Sequence, residues 1–495
     1  MAQSDARTDA HLPDHKVMTM FSDSSQAMTP QTLDVAAIDP RIFRTYDIRG
    51  VVDKALTEET VYAVGLALGS EMLAVGESQL VLGRDGRLSG EAFANRLAEG
   101  VRATGVKVVD LGQVMTPMVY FAAEVLPGGH SCAVITGSHN PPNYNGIKMV
   151  INGLTLFGEH IQALLKRIQQ KDFVLSARPG DYAQYDIFPQ YRDRIVSGIH
   201  LARPLNIVVD AGNGIAGAFA PQVLAALGCE VTPIFCEVDG TFPNHHPDPA
   251  KLKNLQDLAE KVVALGADVG LAFDGDGDRC GVVDNLGEPL YPDRQMMLYA
   301  RDVLSRQPGA EVIYDIKCTA LLPKVIEAAG GHATMWKTGH SYMKAKMRES
   351  GAALGGEVSG HMFFKERWYG FDDGVYTAAR MLEILAAQPQ PAAEVFAALP
   401  NAYNTPEIDL PFEEGEHYAF MEKIKAVADF SDARVFDLDG LRVDFDDGWG
   451  LIRPSNTSPV IVLRFEGETP DALNRIQQRF KDLIHSIEPE RVLPF

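Results

Sequence analysis

The sequence of 495 residues is poor in cysteine, in long apolar runs and in basic side chains, and each shortage excludes a class of protein. Its five cysteines are scattered without CxxC spacing and lie in apolar segments, so we expect reduced core residues and a cytoplasmic location. No apolar run approaches the ~18 residues that a membrane span needs. With 66 acidic against 45 basic side chains, the net charge of -21 opposes binding to nucleic acid and to anionic membranes.

The first 37 residues are polar and of mixed charge, and they lack an apolar core of about seven residues. We therefore expect a flexible leader there, with neither a signal peptide nor a membrane anchor. The remaining length exceeds what one hydrophobic core can fill, which predicts about three or four domains. Because the chain as a whole repels anions, a phosphorylated ligand would have to be captured by local basic clusters.

From residue 41 onward, apolar runs of strand length alternate with amphipathic stretches, a pattern typical of βαβ units and parallel sheets. The predicted strands include residues 80–83, 106–111, 133–136, 206–210, 269–273 and 312–316. Several of them end in loops rich in glycine and charge, such as GRDGR (83–87) and DAGNG (210–214). Ligands bind at the carboxyl ends of strands in open α/β sheets, so we expect the functional residues in these loops.

The composition changes after a break at QPQP (388–391). The last ~95 residues read as a smaller α+β unit, with a predicted strand at 460–465 and a helix whose N-cap and first residue are Thr469 and Pro470.

The serine loop, TGSHNPPNYNGIK (136–148), follows a predicted buried strand and raises three possibilities for Ser138. The serine could be a nucleophile, a phosphate ligand or a turn residue. An acyl-transfer triad fits poorly, because the GxSxG elbow is absent and His139, adjacent in sequence, is expected to project away from Ser138.

The aspartate loop, FDGDGDR (273–279), places Asp274, Asp276 and Asp278 at alternate positions after another apolar strand. Converging carboxylates repel one another unless a cation neutralises them, and an all-oxygen site favours a hard divalent ion such as Mg²⁺. An EF-hand is excluded, since its sixth and twelfth positions would be Arg279 and Asn285 in place of Gly and Glu. An aspartate nucleophile, as in a haloacid-dehalogenase phosphatase, remains an alternative at this point.

Two further loops offer ligands for a sugar phosphate. In the glutamate loop, GGEVSGH (355–361), an extended backbone would point Glu357, Ser359 and His361 the same way, towards neighbouring sugar hydroxyls. In the arginine loop, RPSNTSP (453–459), Arg453 and the hydroxyls that follow could wrap a phosphate, and a plain Ser/Thr turn is the alternative.

In this order and spacing the four loops resemble those of the α-D-phosphohexomutase superfamily, most closely its bacterial phosphomannomutase/phosphoglucomutase branch. The resemblance runs from about Phe43 to the C-terminus and includes FRTYDIRG (43–50), DIKC (315–318), WKTGH (336–340) and FFKERW (363–368). It implies an α/β protein of four domains around a central cleft, three related mixed α/β domains plus a smaller C-terminal α+β domain. The predicted boundaries are a leader at 1–37, a phosphoserine-loop domain at 38–185, a metal-binding domain at 186–290, a sugar-binding domain at 291–398 and a C-terminal phosphate-binding domain at 399–495.

The resemblance also implies the roles of individual residues. Ser138 would carry a phosphoryl group, and one Mg²⁺ per chain would be held by Asp274, Asp276, Asp278 and a phosphoserine oxygen, which removes the dehalogenase alternative. Lys148 is the leading candidate to move a proton, ahead of His361, His340 and Arg49, and Arg279 would stabilise the transferring group. The expected substrate contacts are Tyr46, Lys317, His340, Glu357, Ser359, His361, Arg453, Ser455, Asn456 and Thr457.

The implied reaction is reversible phosphoryl transfer between the 1- and 6-positions of hexose phosphates, with glucose 1,6-bisphosphate as activator and intermediate. Val358 stands where phosphoglucosamine mutases usually have Gln, which favours mannose and glucose phosphates. A phosphoglucosamine mutase, a sugar-phosphate phosphohydrolase and a non-catalytic binding protein are the alternatives. We expect a monomer or weak dimer that binds neither nucleic acid nor membranes.

Overall fold

The computed structural model describes residues 29–413, 415–456 and 458–495. The first 28 residues of the predicted leader lie outside this range, as does Thr457, one of the predicted phosphate ligands. Four β-sheets follow one another along the described chain. None of the helices in these ranges combines the length and the apolar character of a membrane-spanning segment.

The first sheet contains seven strands. They are β1 (Ile48–Val51), β2 (Gln79–Arg84), β3 (Lys107–Gln113), β4 (Ser131–Ile135), β5 (Tyr144–Ile151), β6 (Leu154–Thr155) and β7 (Tyr182–Gln184). Their spatial order is β1-β5-β4-β2-β3-β7, and β6 pairs with β5. The associated helices are α1 (Glu58–Ala74), α2 (Gly90–Ala103), α3 (Thr116–Val125) and α4 (Glu159–Gln170).

The second sheet contains five strands. They are β8 (Asn206–Asp210), β9 (Glu230–Ile234), β10 (Val269–Phe273), β11 (Cys280–Asp284) and β12 (Pro289–Leu290), in the spatial order β12-β11-β10-β8-β9. The helices of this region are α5 (Phe188–Gly198), α6 (Ala220–Ala226) and α7 (Gln256–Leu265).

The third sheet contains four strands. They are β13 (Glu311–Asp315), β14 (His332–Trp336), β15 (Leu354–Gly356) and β16 (Met362–Phe364), in the spatial order β14-β13-β15-β16. The helices are α8 (Pro292–Arg306), α9 (Leu321–Ala328), α10 (His340–Ser350), α11 (Gly374–Ala386) and α12 (Ala392–Ala397).

These three sheets share one arrangement of four strands. β5-β4-β2-β3, β11-β10-β8-β9 and β16-β15-β13-β14 each consist of three parallel strands and an antiparallel strand next to the third of them in sequence. The connections β4–β5, β10–β11 and β15–β16 are the serine, aspartate and glutamate loops. Three of the four loops therefore occupy the same position in three related units, at the carboxyl end of a parallel strand.

The fourth sheet is antiparallel and smaller. Its strands are β17 (Tyr403–Asn404), β18 (Ile408–Pro411), β19 (Arg434–Phe436), β20 (Leu441–Phe445), β21 (Gly448–Pro454) and β22 (Val460–Gly467), covered by α13 (Glu416–Val427) and α14 (Pro470–His485). The arginine loop is the connection between β21 and β22. The fold class predicted from the sequence, three related α/β units and a smaller α+β unit, is confirmed.

A buried tryptophan joins the third and fourth sheets. Trp449 is fully buried, and the guanidinium carbon of Arg442 lies 4.0 Å from its ring centre. Arg442 donates hydrogen bonds to the carbonyls of Ile316 (2.6 Å) and Cys318 (2.8 Å), in the segment that follows β13. This contact positions the arginine loop relative to the third sheet.

Leu33, near the end of the predicted leader, is buried against the rest of the protein. Leu33 is 4% exposed, and its carbonyl accepts a hydrogen bond from Lys171 Nζ at 2.7 Å. Leu33 and the partly buried Val35 pack in the apolar core of the first sheet region, so the residues around Leu33 differ from the flexible segment expected there. The predicted domain boundaries at 185/186, 290/291 and 398/399 each fall between two sheets, and they stay a prediction.

Candidate active site

A cleft of about 400 Å³ opens where the loops of the four sheets meet. It is lined by thirteen of the residues singled out in the sequence, namely Tyr46, Arg49, Ser138, Lys148, Arg279, Lys317, His340, Glu357, Ser359, His361, Arg453, Ser455 and Asn456. Lysines and arginines from every sheet region face it, although the chain carries a large net negative charge. The structure thus contains the local basic cluster that capture of a phosphorylated ligand requires.

Ser138 lies at the carboxyl end of β4 and contacts the aspartate loop directly. It is 4% exposed, and its Oγ donates a hydrogen bond to Asp274 Oδ2 at 3.1 Å. Its backbone φ is 47°, in the left-handed region, and its N–H donates to Thr136 Oγ1 at 2.7 Å. The unusual backbone turns the hydroxyl towards a carboxylate 136 residues away in the chain.

The left-handed backbone also overturns one expectation about His139. Its Nδ1 lies 3.2 Å from Ser138 Oγ, whereas adjacency in sequence predicted that the imidazole would project away. Burial and the nearby charge of Arg279 hold the pKa of His139 well below its usual range. His139 is therefore a neutral hydrogen-bond partner of the serine.

The three carboxylates of the aspartate loop form a compact, fully buried oxygen cluster. One oxygen from each of Asp274, Asp276 and Asp278 lies within 4.8 Å of the others, an arrangement that could hold a metal ion. Within the described residues, Asp276 Oδ1 and Asp278 Oδ1 are buried without a hydrogen-bond partner. Unpaired buried carboxylate oxygens are costly, and an all-oxygen set suits a hard divalent cation. The residues present therefore fit the metal predicted from the sequence.

Two cations contact different carboxylates of the cluster. Lys148 Nζ donates to Asp276 Oδ2 at 2.8 Å and to Asp278 Oδ2 at 2.5 Å. Burial favours the neutral amine, but these carboxylates outweigh it and raise the pKa of Lys148. Arg279 Nε donates to Asp274 Oδ2 at 2.9 Å, while burial still raises the pKa of Asp274 to about 8. Because its pKa is raised, the amine of Lys148 is charged in this arrangement.

Arg279 links three elements of the site. Its Nη1 lies 3.2 Å from Asp248 Oδ1 and donates to the carbonyl of Ser359 at 3.3 Å, and a backbone bridge pairs it with His361. Its Nη2 is buried and has no partner among the described residues. A guanidinium held on two nitrogens with a third left over can donate to an anion in the cleft.

His361 and His340 lie side by side, with ring centres 5.7 Å apart. His361 Nδ1 lies 3.0 Å from Asp372 Oδ2 and 3.7 Å from Asp278 Oδ1, and these carboxylates outweigh burial and raise the pKa of His361. For His340, burial and the nearby Lys344 hold the pKa well below its usual range. The pKa values of the two imidazoles are therefore shifted in opposite directions, although they share one pocket.

The glutamate loop is a tight turn, not the extended segment assumed from its spacing. The N–H of Glu357 donates to the carbonyl of His361 at 2.9 Å, and Gly360 has a φ of 100°. Glu357, Ser359 and His361 still line one cleft, because the turn brings them together by a different geometry. Burial raises the pKa of Glu357 to about 7, and its Oε1 accepts a hydrogen bond from the N–H of Gly339.

The side chain of Val358 faces away from the cleft. It is 7% exposed and lines a neighbouring cavity together with Pro249 and Leu290. The sugar preference inferred from the identity of this residue consequently has no direct contact to support it.

The arginine loop also lines the cleft and is held against the first sheet region. Arg453 is 4% exposed, and its Nε lies 3.2 Å from Asp439 Oδ2. Asn456 Nδ2 donates to Tyr46 Oη at 2.6 Å, and Tyr46 Oη in turn donates to the carbonyl of Thr338 at 2.7 Å. These hydrogen bonds connect Asn456 of the arginine loop to Tyr46, which precedes β1, and to Thr338, which follows β14.

Lys317 and Arg49 complete the cationic lining. Lys317 Nζ donates to Glu407 Oε1 at 2.6 Å, which outweighs burial and lowers the pKa of Glu407 to about 2. Arg49 donates to Asp47 Oδ2 at 2.5 Å and also hydrogen-bonds Asn140 of the serine loop. Both cations are therefore ion-paired within the site.

Several residues that complete the site are not among those predicted from the sequence. Thr116, at the start of α3, donates through Oγ1 to Asp276 Oδ2 at 2.6 Å. His246 and Asp248 line the cleft, and Asp372 contacts His361. The segments NHHPDP (244–249) and FDDG (371–374) carry dense charge next to turn residues, which is the signal that could have identified them.

The chain matches four family models that together follow the observed sheets. These are the phosphoglucomutase/phosphomannomutase alpha/beta/alpha domain I at residues 40–175, domain II at 189–287, domain III at 291–403 and the C-terminal domain at 407–483. Each model covers most of one of the four sheet regions.

Individual relatives agree over almost the whole chain. It is 53% identical over 460 residues to the phosphomannomutase/phosphoglucomutase of Pseudomonas putida, covering 93% of this chain and 99% of that protein. It is 50% identical over 462 residues to the phosphoglucomutase of Neisseria gonorrhoeae, covering 93% of this chain and all of that protein. The solved structure of a phosphoglucomutase/phosphomannomutase family protein from Burkholderia thailandensis superposes with a TM-score of 0.87 at 52% identity, covering 92% of this chain and 100% of that chain. The chain belongs to the phosphoglucomutase/phosphomannomutase family.

Proposed function

We propose that this protein interconverts the 1- and 6-phosphates of hexoses through a phosphoserine at Ser138. The observation that carries the proposal is the contact between Ser138 Oγ and Asp274, which belongs to a carboxylate cluster able to hold a metal, inside a cleft that Arg453 also lines. A phosphoryl carrier, a site for its counter-ion and a distant phosphate clamp are the three parts that this transfer requires.

The reaction consists of two phosphoryl transfers of opposite direction. In the first, a hydroxyl oxygen of the hexose phosphate forms a bond to the phosphorus on Ser138, the bond from phosphorus to Oγ breaks, and the hydroxyl proton leaves to a base. The product is a hexose 1,6-bisphosphate. After it turns around in the cleft, Ser138 Oγ forms a bond to the phosphorus of its other phosphate, the bond from that phosphorus to the sugar oxygen breaks, and the sugar oxygen takes a proton. The phosphoserine is regenerated and no phosphate is consumed.

The aspartate loop would hold Mg²⁺, with Asp274, Asp276, Asp278 and a phosphoserine oxygen as ligands. When bound, the ion supplies positive charge that stabilises the transferring phosphoryl group. Arg279 contributes from the protein side, because its unpartnered Nη2 can donate to a phosphoryl oxygen while Asp274 and Asp248 fix the guanidinium plane.

Lys148 and His361 are two candidates for proton transfer, and both face carboxylates of the site. Lys148 is charged and held by two carboxylates, so it would have to lose both contacts before it could accept a proton. His361 likewise faces two carboxylates, Asp278 and Asp372, which favour its protonated form, so its imidazole would have to lose a proton before it could act as a base. We infer that Lys148 mainly balances charge in the resting enzyme, and His361, His340 and Arg49 are the other candidates for the base.

Substrate binding would use the opposite walls of the cleft. Glu357 and Ser359 would grip the 3- and 4-hydroxyls, which look alike after the sugar turns around. The non-reacting phosphate would be held by Arg453, Ser455, Asn456 and Thr457, and Tyr46, Lys317 and His340 would contact the substrate between the two ends. This assignment is supported by the common lining of the described residues.

Mannose and glucose phosphates are the proposed substrates, with glucose 1,6-bisphosphate as activator. The names of the relatives from Pseudomonas putida and Neisseria gonorrhoeae support this choice, while Val358 does not contribute to it. A panel of mannose, glucose and glucosamine 1-phosphates measures the preference. The expected monomer or weak dimer and the cytoplasmic location stay predictions.

Mass spectrometry and one substitution test the proposal together. Purified protein incubated with glucose 1,6-bisphosphate should gain one phosphate on Ser138, and Ser138→Ala should abolish turnover while still binding hexose phosphate, because the clamp at Arg453 is intact. Wild-type protein that never carries phosphate on Ser138 would refute the mechanism. Stoichiometric release of inorganic phosphate from the substrate would favour the phosphohydrolase alternative.

A further inference from the structure

The motif GRDGR (83–87) at the end of β2 is built into the serine loop, although the proposed reaction gives it no role. Arg87 is 3% exposed and is absent from the residues that line the cleft. Its side chain fills the space behind Gly137, where an added Cβ would overlap the guanidinium. Arg87 therefore acts on the loop from behind.

The guanidinium of Arg87 donates hydrogen bonds to four main-chain carbonyls of the serine loop. Its Nη1 donates to the carbonyls of Pro141 at 2.7 Å and Tyr144 at 2.9 Å. Its Nη2 donates to those of Ser138 at 2.8 Å and Asn140 at 2.6 Å. Only arginine offers so many donors in a rigid planar fork, and a lysine ammonium cannot reproduce the arrangement.

Asp85 holds the beginning of the same loop and orients Arg87. Its Oδ2 accepts from Thr136 Oγ1 at 2.8 Å and from the N–H of Gly137 at 3.2 Å. The same oxygen lies 3.2 Å from Arg87 Nε, and Oδ1 accepts from the N–H of Arg87 at 3.0 Å. Asp85 thus binds the beginning of the serine loop, Arg87 binds the residues that follow, and the two side chains lie in contact with each other.

The contacts of Arg87 and Asp85 with the serine loop affect the backbone conformation of Ser138. A φ of 47° is unfavourable for a residue with a Cβ, and it persists at Ser138 because the groups on both sides are held. The N–H of Ser138 is bound by Thr136 and its carbonyl by Arg87. Released from these bonds, the backbone would relax and carry Oγ away from Asp274.

We propose that Arg87, oriented by Asp85, is the positioning residue that sets the direction of the phosphoryl-carrying Ser138 towards the aspartate loop. The inference rests on the proposed function. Neither residue touches the cleft, so their loss should slow phosphoryl transfer and leave the binding of sugar phosphate at the arginine loop nearly unchanged.

Steady-state kinetics of Arg87→Lys tests the inference, with glucose 1-phosphate as substrate and glucose 1,6-bisphosphate as activator. We expect kcat to fall by about 100-fold, the loss typical of a reacting group displaced by about 1 Å, while KM stays within about threefold. Rates are normalised to the folded fraction from circular dichroism. Arg96→Lys, which alters an arginine paired with Glu58 and Glu99 on the surface of the first sheet region, is the matched control and should keep wild-type rates.

Asp85→Asn is the second variant, and it decides the question by the same criterion if Arg87→Lys does not fold. It keeps an acceptor for Thr136 but removes the charge that orients Arg87, so kcat should again fall with KM preserved. A kcat within threefold of wild type in the folded variants, or a loss confined to KM, overturns the inference. No turnover in wild type and Arg96→Lys would refute the proposed function itself, and the inference with it.

Discussion

Replacing Lys148 with methionine would test whether this lysine balances the charge of the aspartate loop or moves a proton. Its Nζ lies 2.8 and 2.5 Å from Asp276 and Asp278, and all three side chains are at most 3% exposed. Removing one partner of a buried ion pair typically costs about 3–5 kcal/mol, because an uncompensated charge stays behind. At about 2–4 °C per kcal/mol for a domain of this size, the melting temperature of the metal-free variant should fall by roughly 6–20 °C.

Magnesium should reverse much of this loss, since the ion supplies the missing positive charge. A ligand at 100 times its dissociation constant adds about 2.7 kcal/mol of stability. In wild type the ion competes with Lys148 for the carboxylates, so the variant should gain more stability from MgCl2 than wild type does. Thermal melts of unphosphorylated protein in EDTA and in rising MgCl2 measure both quantities.

Lys346→Met is the control, because Lys346 pairs with the exposed carboxylate of Glu349 and its loss should cost only about 0–1 kcal/mol. An unchanged melting temperature of Lys148→Met in EDTA, or a magnesium-dependent gain equal to that of wild type, would refute the charge-balance argument. Turnover at saturating MgCl2 separates the two roles. Recovery to near wild type indicates charge balance alone, and a remaining loss of about 10²–10⁴-fold indicates a proton-transfer role.

Two further substitutions probe the clamp and the packing behind it. Arg453→Ala should weaken hexose phosphate binding by about 10- to 150-fold, the equivalent of the ~1.5–3 kcal/mol lost with one charged hydrogen bond, while kcat changes less. Arg434→Ala on the outer strand β19 is its control, and a loss confined to kcat would contradict the clamp role. Trp449→Ala should cost about 3–5 kcal/mol, because it empties the space under Arg442 between the third and fourth sheets. Melting curves that match wild type would show that this contact does not stabilise the arrangement.

The local sequence pattern was sufficient to predict the structure where that structure depends on residues close together in the chain. The predicted strands at 206–210 and 269–273 match the observed strands residue for residue, because short apolar runs of strand length bounded by turn residues favour buried strands. The helix after Thr469 begins as predicted, with the threonine side chain accepting from the N–H of Ala472. The three aspartates were found because carboxylates and glycines that alternate after an apolar strand favour a bound cation, whereas the role of Ser138 followed from the resemblance of the four loops to a known family.

The tertiary structure alone decided how these groups face one another. Lys148 and Asp278 are 130 residues apart, and no pattern within either segment specifies their contact. The approach of His139 to Ser138 depends on a left-handed φ that a serine rarely adopts, and that φ depends on Arg87, 51 residues upstream. Sequence periodicity encodes which residues share a face of one element, whereas the charge and direction of each catalytic group here depend on contacts between different sheets. For that reason the identity of the chemistry could be predicted from the sequence, and the state of each group within it could not.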